Sequence, residues 1–150
     1  MEPVFVDMEN AGVQRCVLQE GDVVLLARGS AIRAGYVSAD IAARNIIASA
    51  NFILIRPDRE KVLGEVIAAY INSLQGRHAL LKLSVGTAVQ QVPASGLRRF
   101  NMPVPVIENQ QIIAEIHKAS ISAYRQTVAL ADQQRHAANA AIVSLLQAES

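Results

Sequence analysis

The chain has 150 residues and a formal net charge of +1, with three histidines, one cysteine and no tryptophan. At that length one domain, with or without an appendage, can bury a real core, and a composition of 51% apolar and 18% charged residues is that of a folding chain. The single Cys16 excludes a disulfide framework and the cysteine-rich zinc motifs, no apolar run approaches the roughly 20 residues of a membrane helix, and Met1-Glu2-Pro3-Val4 does not open a secretory signal; a soluble cytoplasmic protein without a membrane partner is expected.

The first 57 residues read as strands and turns. Asp22-Val23-Val24-Leu25-Leu26-Ala27 follows the turn signal Glu20-Gly21, and Asn51-Phe52-Ile53-Leu54-Ile55-Arg56 is stopped by Pro57-Asp58. Short β-branched runs bounded by Gly and Pro predict buried strands. Weaker strand candidates lie at 4–6, 15–18 and 35–37. From 59 to 74, Val62, Leu63, Val66, Ile67, Tyr70, Ile71 and Leu74 recur at three- and four-residue spacing, which predicts an amphipathic helix with Asp58 as its N-cap. Gly76 is expected to separate it from a shorter helix around 77–83, which Gly86 ends in a left-handed conformation.

Between 87 and 107, Pro93, Gly96, Pro103 and Pro105 leave no room for a long helix, and Met102-Pro103-Val104-Pro105 reads as an extended edge segment. From Glu108 to Ala148 there is neither proline nor glycine. Some 40 helical residues span roughly 60 Å, too long to stand without a packing partner. Ile113, Ile116, Ser120, Ala123, Thr127, Leu130, Gln134, Ala137, Ala141 and Ser144 form a seam of alternating three- and four-residue steps. Few of these are large, so the facing helix must approach closely. With no turn to fold the helix back, the partner is expected from another chain. The expected fold class is therefore α+β, a β-rich domain at 1–107 with short helices followed by one long C-terminal helix at 108–150.

Charge is unevenly distributed. Residues 1–22 hold five acids and one arginine, 23–57 hold Arg28, Arg33, Arg44 and Arg56 against Asp40 alone, and 76–107 hold Arg77, Lys82, Arg98 and Arg99 with no acid. Eleven of the fourteen basic residues are arginine, which makes bidentate contacts to phosphate and guanine. The two positive segments either form one basic face or point in different directions.

Catalytic signals are poor, and no enzyme is expected. Asp58-Arg59-Glu60-Lys61 bears a superficial likeness to a metal-dependent nuclease motif, but its acids sit too close together to reach one ion from separate strands, and a helix start is the better reading. His78, His117 and His136 lack ligand partners at metal spacing; no metal or other cofactor is expected. There is no phosphate-binding glycine loop, no nucleophile elbow and no adenine-methyltransferase signature. Cys16 is expected to pack as a small hydrophobe. The binding signals are better. Ala27-Arg28-Gly29-Ser30 leaves a buried strand directly, so Arg28 and Ser30 either reach DNA or belong to an ordinary hairpin turn. Thr87, Gln90 and Gln91 can make polar groove contacts, and Arg98-Arg99 can clamp phosphate or stay solvated.

The order of these pieces resembles the target-recognition domains of type I restriction-modification DNA specificity subunits. Glu20-Gly21-Asp22-Val23-Val24-Leu25-Leu26-Ala27-Arg28-Gly29-Ser30 is similar to that family's Gly-Asp-apolar strand, and Ser49-Ala50-Asn51-Phe52-Ile53-Leu54-Ile55-Arg56-Pro57 to the strand after it. Tyr70-Ile71-Asn72-Ser73 resembles its Tyr-Leu-Asn-Ser helix end, Gly86-Thr87 through Pro93-Ala94-Ser95-Gly96-Leu97 its next segment, and Met102-Pro103-Val104-Pro105 leading to Gln110-Gln111-Ile112-Ile113 the start of its long helix. Five pieces in order cover about residues 20–120.

The resemblance implies a subunit that does no chemistry. In that family two recognition domains each read one half of a split DNA sequence, and two long helices form an antiparallel coiled coil that spaces them and docks the methyltransferase (modification) subunits. A full subunit has two domains and two helices. This chain has one helix and at most one domain, with little sequence before its Gly-Asp strand, so the implied protein is a half-sized, N-terminally short specificity subunit or a fragment of a larger one. Charge, polarity and loop position select Arg28, Ser30, Arg33, Arg44, Thr87, Gln90, Gln91 and Arg99 as candidates for contact with double-stranded DNA. Ile113, Ile116, Ala123, Leu130, Ala137 and Ala141 are the candidates for homodimerisation. Two identical halves imply a palindromic split target, and near-neutral charge implies weak DNA affinity for one copy alone. The alternatives are a helical assembly module without DNA binding and the detached recognition domain of a fused type II restriction-methylation enzyme.

Overall fold

The structure, a computed structural model, describes residues 16–26, 32–49, 51–86 and 91–148. It is α+β. Three short antiparallel strands, β1 (Val23–Leu26), β2 (Arg33–Tyr36) and β3 (Phe52–Ile55), form a sheet in the order β2-β1-β3. Both long apolar runs are strands, and the central one is the run after Gly21. Of the weaker candidates, 35–37 overlaps β2, 15–18 contributes one bridge, Val17 to Ile47, and 4–6 lies outside the described residues.

The register sorts the sheet into two faces. Val23 stands between Tyr36 and Ile55, and Leu25 between Ala34 and Ile53. These side chains share one face because strand residues alternate, and Val23 and Leu25 are fully buried. They meet Ile67, Ala68 and Ile71 of helix α2 in one core, with Ile32, Leu80 and Val92 closing it. The other face carries Val24, Leu26 and Leu54, half-buried, with Arg33 and Phe52 exposed. A short helix α1 (Ala39–Ala42) lies between β2 and β3.

Helix α2 (Gly64–Asn72) begins later than its apolar spacing suggests, and Asp58 does not cap it. Asp58 instead closes the turn before it, accepting from the Glu60 N–H through Oδ1 (3.2 Å) and from the Lys61 and Val62 N–H groups through its carbonyl. The late start has a tertiary cause. Gly64 packs so close to the Gly21 carbonyl that an added Cβ would stand 2.2 Å from that oxygen, and the Leu63 N–H donates to Gln110.

The break after α2 falls at Ser73, not at Gly76. Ser73 Oγ donates to the Tyr70 carbonyl (2.7 Å) and accepts from the Gly76 N–H (3.1 Å), so it caps helix α3 (Leu74–Leu81). Gly76 is buried inside α3, against the Tyr70 carbonyl. Gly86 is left-handed as expected, with φ +101°, but lies beyond the end of α3 and follows Val85, which pairs with Gln91 through two backbone hydrogen bonds. After helix α4 (Ala94–Leu97), residues 101–106 are irregular and pair with no strand among the described residues. The expected edge segment therefore does not join the sheet; Pro103 and Pro105 have no N–H to offer a ladder.

Helix α5 runs unbroken from Ile107 to Ala148. The chain divides into two compact units, Met1–Ala114 and Glu115–Ser150. The first two turns of α5 belong to the first unit, because Gln110 and Ala114 are buried in it. The glycines give a sharp test of the packing. Gly64→Ala should cost about 1–3 kcal/mol and Gly35→Ala, whose Cβ would meet nothing within 4 Å, less than about 0.5 kcal/mol; urea unfolding of the two variants checks this.

Candidate nucleic-acid interface

The cations of the first unit fall into two sets. Arg56, Arg59 and Lys61, which follow β3, are paired. Arg56 Nε and Nη2 donate to the two carboxylate oxygens of Asp22, both at 2.8 Å, and Nη2 also reaches the Val17 carbonyl at 3.0 Å. The Asp22 side chain is almost completely buried and also accepts from the Gln19 N–H at 2.8 Å. The hydrogen bonds that Arg56 donates to the Asp22 carboxylate hold its guanidinium above the ordinary range despite partial burial. Arg59 lies against Gly21, where a Cβ would come within 3.1 Å of it, and pairs with Glu20 at 3.5 Å. Gly21 has φ +86°, so a side chain there would be strained as well as crowded. Lys61 pairs with Asp58 at 2.8 Å, which holds the Asp58 carboxyl below the usual carboxylate range and raises the lysine.

Arg33, Arg44, Arg77, Lys82, Arg98 and Arg99 form no ion pair with any carboxylate among the described residues, and all six are exposed. All six come from the two acid-poor segments. Sequence reasoning did not single out Arg77 and Lys82, and weighed Arg98 only as a phosphate clamp beside Arg99; the shared signal of the three is the absence of acids from 76 to 107. An exposed guanidinium with no internal partner keeps all its donors for phosphate or a base edge.

Arg33 opens β2 on the sheet face away from α2, level with Leu26 and Phe52. The next residue is clamped: the Asn72 side chain accepts from the Ala34 N–H (3.0 Å) and donates to the Ala34 carbonyl (2.7 Å). A carboxamide thus stands in for a neighbouring strand and closes the open edge of β2 beside Arg33. Arg44 follows α1 in a turn whose next residue, Asn45, has φ +50°. Gln91 is exposed while its backbone pairs with Val85, and the Arg99 N–H donates to the Gly96 carbonyl in the turn after α4. Arg28, Ser30, Thr87 and Gln90 lie outside the described residues. Cys16 is exposed rather than packed as a hydrophobe. Among the described residues no group of three or more His, Cys, Asp or Glu is placed to hold a metal ion, and no helix is long and apolar enough to cross a membrane.

The motif residues have structural tasks. Gly21-Asp22 and Arg56 join the loop before β1 to the end of β3. Asn72-Ser73 closes the β2 edge and caps α3. Gln110, 2% exposed, accepts from the Leu63 N–H (2.9 Å) and donates to the carbonyls of Lys61 (3.0 Å) and Pro105 (2.9 Å), which fixes the start of α5 against the start of α2.

The sequence of this chain matches a known family along most of its length. Residues 11–134 fit the model of the type I restriction modification DNA specificity domain. The chain belongs to that family, and its part in a restriction-modification system is that of specificity. No curated protein matches it at a significant level.

The Asp22–Arg56 pair is asymmetric, since Asp22 is 1% exposed and Arg56 40%. Removing the arginine strands a buried carboxylate, whereas neutralising the aspartate leaves a guanidinium that water can reach. Arg56→Ala is therefore expected to cost on the order of 3 kcal/mol and Asp22→Asn clearly less, measured by chemical denaturation at neutral pH.

Proposed function

We propose that this chain is a non-catalytic sequence-specificity subunit that reads one half-site of a split DNA sequence, pairs with a second copy through α5 and docks a methyltransferase subunit. The observation that carries the reading is the segregation of cations within a chain of this family. Arg56, Arg59 and Lys61 are used internally, and the other described cations of the two acid-poor segments remain free for DNA. Arg33, Arg44, Gln91 and Arg99 are the DNA-contact candidates within the described residues, with Arg28, Ser30, Thr87 and Gln90 beside them in sequence. Arginine on a groove edge gives base discrimination, and arginine on phosphate gives position and salt dependence.

The pairing half of the reading is supported by α5. With Ile113 as heptad position a and Ile116 as d, the charged residues Glu108, Glu115, Lys118, Arg125, Asp132 and Arg135 all fall at b, c or f. Positions a, d, e and g therefore carry no Lys, Arg, Asp or Glu from Ile112 onward. Ile116 and Leu130 on that face are 65% and 56% exposed, an apolar surface that a helix this long leaves to a partner. Thr127 donates its hydroxyl to the Ala123 carbonyl at 3.0 Å, so it can be covered without losing a hydrogen bond.

The reading is tested by mapping adenine methylation on a plasmid in cells expressing this chain with a type I methyltransferase subunit. A methylated split palindrome is expected; an unmodified plasmid with both subunits soluble would favour an assembly module without DNA binding. In the purified complex, replacing Arg33 and Arg99 by alanine should weaken DNA binding and lower the slope of log K against log salt by about one for each phosphate that is no longer neutralised. An unchanged slope removes both residues from the interface. Leu130→Pro interrupts α5 and is expected to abolish dimerisation in sedimentation experiments.

A further inference from the structure

Strand pairing sets two rows of three residues on the sheet face away from α2. Arg33, Leu26 and Phe52 stand side by side in one row, and Gly35, Val24 and Leu54 in the other. Val24, Leu26 and Leu54 are half-buried aliphatics. Beside them stand three residues of a different kind. Arg33 is exposed and has no carboxylate partner among the described residues. Phe52 is 42% exposed. At Gly35 an added Cβ would meet nothing within 4 Å. None of the six is acidic.

We infer that this face lies against the major groove of duplex DNA, and that Phe52 is a specificity-determining residue that packs on the C5 methyl group of a thymine. The inference rests on the DNA reading above and adds to it the face, the groove and one feature of one base. A single exposed apolar side chain would be ordinary; the row in which Phe52 stands is what gives it a partner. Phe52 and Arg33 flank Leu26 on neighbouring strands, so their Cα atoms lie about 10 Å apart. That width fits the major groove, about 12 Å across, and not the minor groove of about 6 Å. Gly35 leaves the backbone of β2 bare on the same face, which lets a groove wall come close. Leu26 also ends β1, two positions before Arg28 in the sequence.

The kind of contact follows from how Phe52 is held. It sits on a strand paired with β1, and its neighbours cover more than half of it. The ring is therefore part of a flat apolar surface rather than a wedge that unstacks a base step. Thymine is the base that turns an apolar group into the major groove. Arg33 decides the class of occupant. A wholly apolar protein surface laid over this row would bury its charge without a partner, whereas a DNA groove offers base acceptors and phosphates alongside the methyl group.

The purified complex with the methyltransferase subunit tests this on the target found by methylation mapping, with each thymine of a half-site replaced in turn by uracil. That exchange removes only the C5 methyl. The unsubstituted protein is expected to lose affinity about fourfold at one position, as for one buried methyl group. Phe52→Ala should bind the thymine target more weakly by a similar factor, become indifferent to uracil at that position and keep its salt slope. Gly35→Glu, where a side chain has room, should weaken binding at least about tenfold by setting a carboxylate toward the DNA. Urea unfolding verifies that both variants fold, and the uracil scan of the unsubstituted protein depends on neither. A complex indifferent to uracil at every thymine, the same uracil penalties in Phe52→Ala, or full affinity in Gly35→Glu overturns this inference and leaves the DNA reading standing. Absence of sequence-specific binding by the unsubstituted complex overturns the DNA reading itself and this inference with it.

Discussion

The carboxamide of Gln110 is the contact on which the architecture of the first unit turns. Its oxygen accepts from the N–H that opens α2, and its nitrogen donates to two carbonyls, one before α2 and one in the proline segment. Three backbone groups on two irregular stretches of chain are satisfied by one neutral side chain. Buried backbone groups left without a partner cost more than a typical hydrogen bond contributes, so replacing this carboxamide by an apolar group would expose all three at once. A glutamate could accept but not donate, and a lysine could donate but not accept. The side chain required is a neutral one that does both and is long enough to span from a helix to two loops.

The same economy recurs in the other motif residues. Asn72 presents its donor and acceptor to Ala34 as a strand would, Ser73 both ends and begins a helix, and Asp22 takes two hydrogen bonds from Arg56 and one from the backbone of Gln19. In each case a polar side chain substitutes for secondary structure that a sheet of three four-residue strands is too small to supply. The recognisable signature of this chain is therefore a description of how a small domain satisfies its backbone. The exposed Arg33, Arg44, Arg77, Arg98 and Arg99 form no ion pair with that framework among the described residues.

How much of this is legible in the sequence depends on how far away the cause lies. The two apolar strands and the unbroken helix α5 are local features, set by β-branched runs between breakers and by a long absence of proline and glycine. The start of α2 is not local: Asp58 looks like a cap, but the helix waits for Gly64 because Gly64 must meet the Gly21 carbonyl, and Gln110 holds the residue before it. Gly76 looks like a breaker and is instead the small residue that lets α3 approach α2, while Ser73 makes the break. The site is legible in the same partial way. The acid-poor segments are visible as charge runs, but which arginines are committed to the fold is not, since Arg56 finds its partner 34 residues earlier in the chain.

A net charge of +1 sits oddly with a DNA-reading task until the two sets of cations are separated. Internal pairing of Arg56, Arg59 and Lys61 cancels acids that would otherwise repel phosphate, and on the proposed reading the remaining unpaired residues supply a handful of contacts. Such a number gives affinity that falls steeply with salt. On the proposed reading, two copies held by α5 place two such surfaces on one DNA molecule, and the second contact forms at an effective concentration set by the helix rather than by bulk solution. The cost of a weak single surface then becomes selectivity, since a lone half-site engages only one copy and dissociates readily.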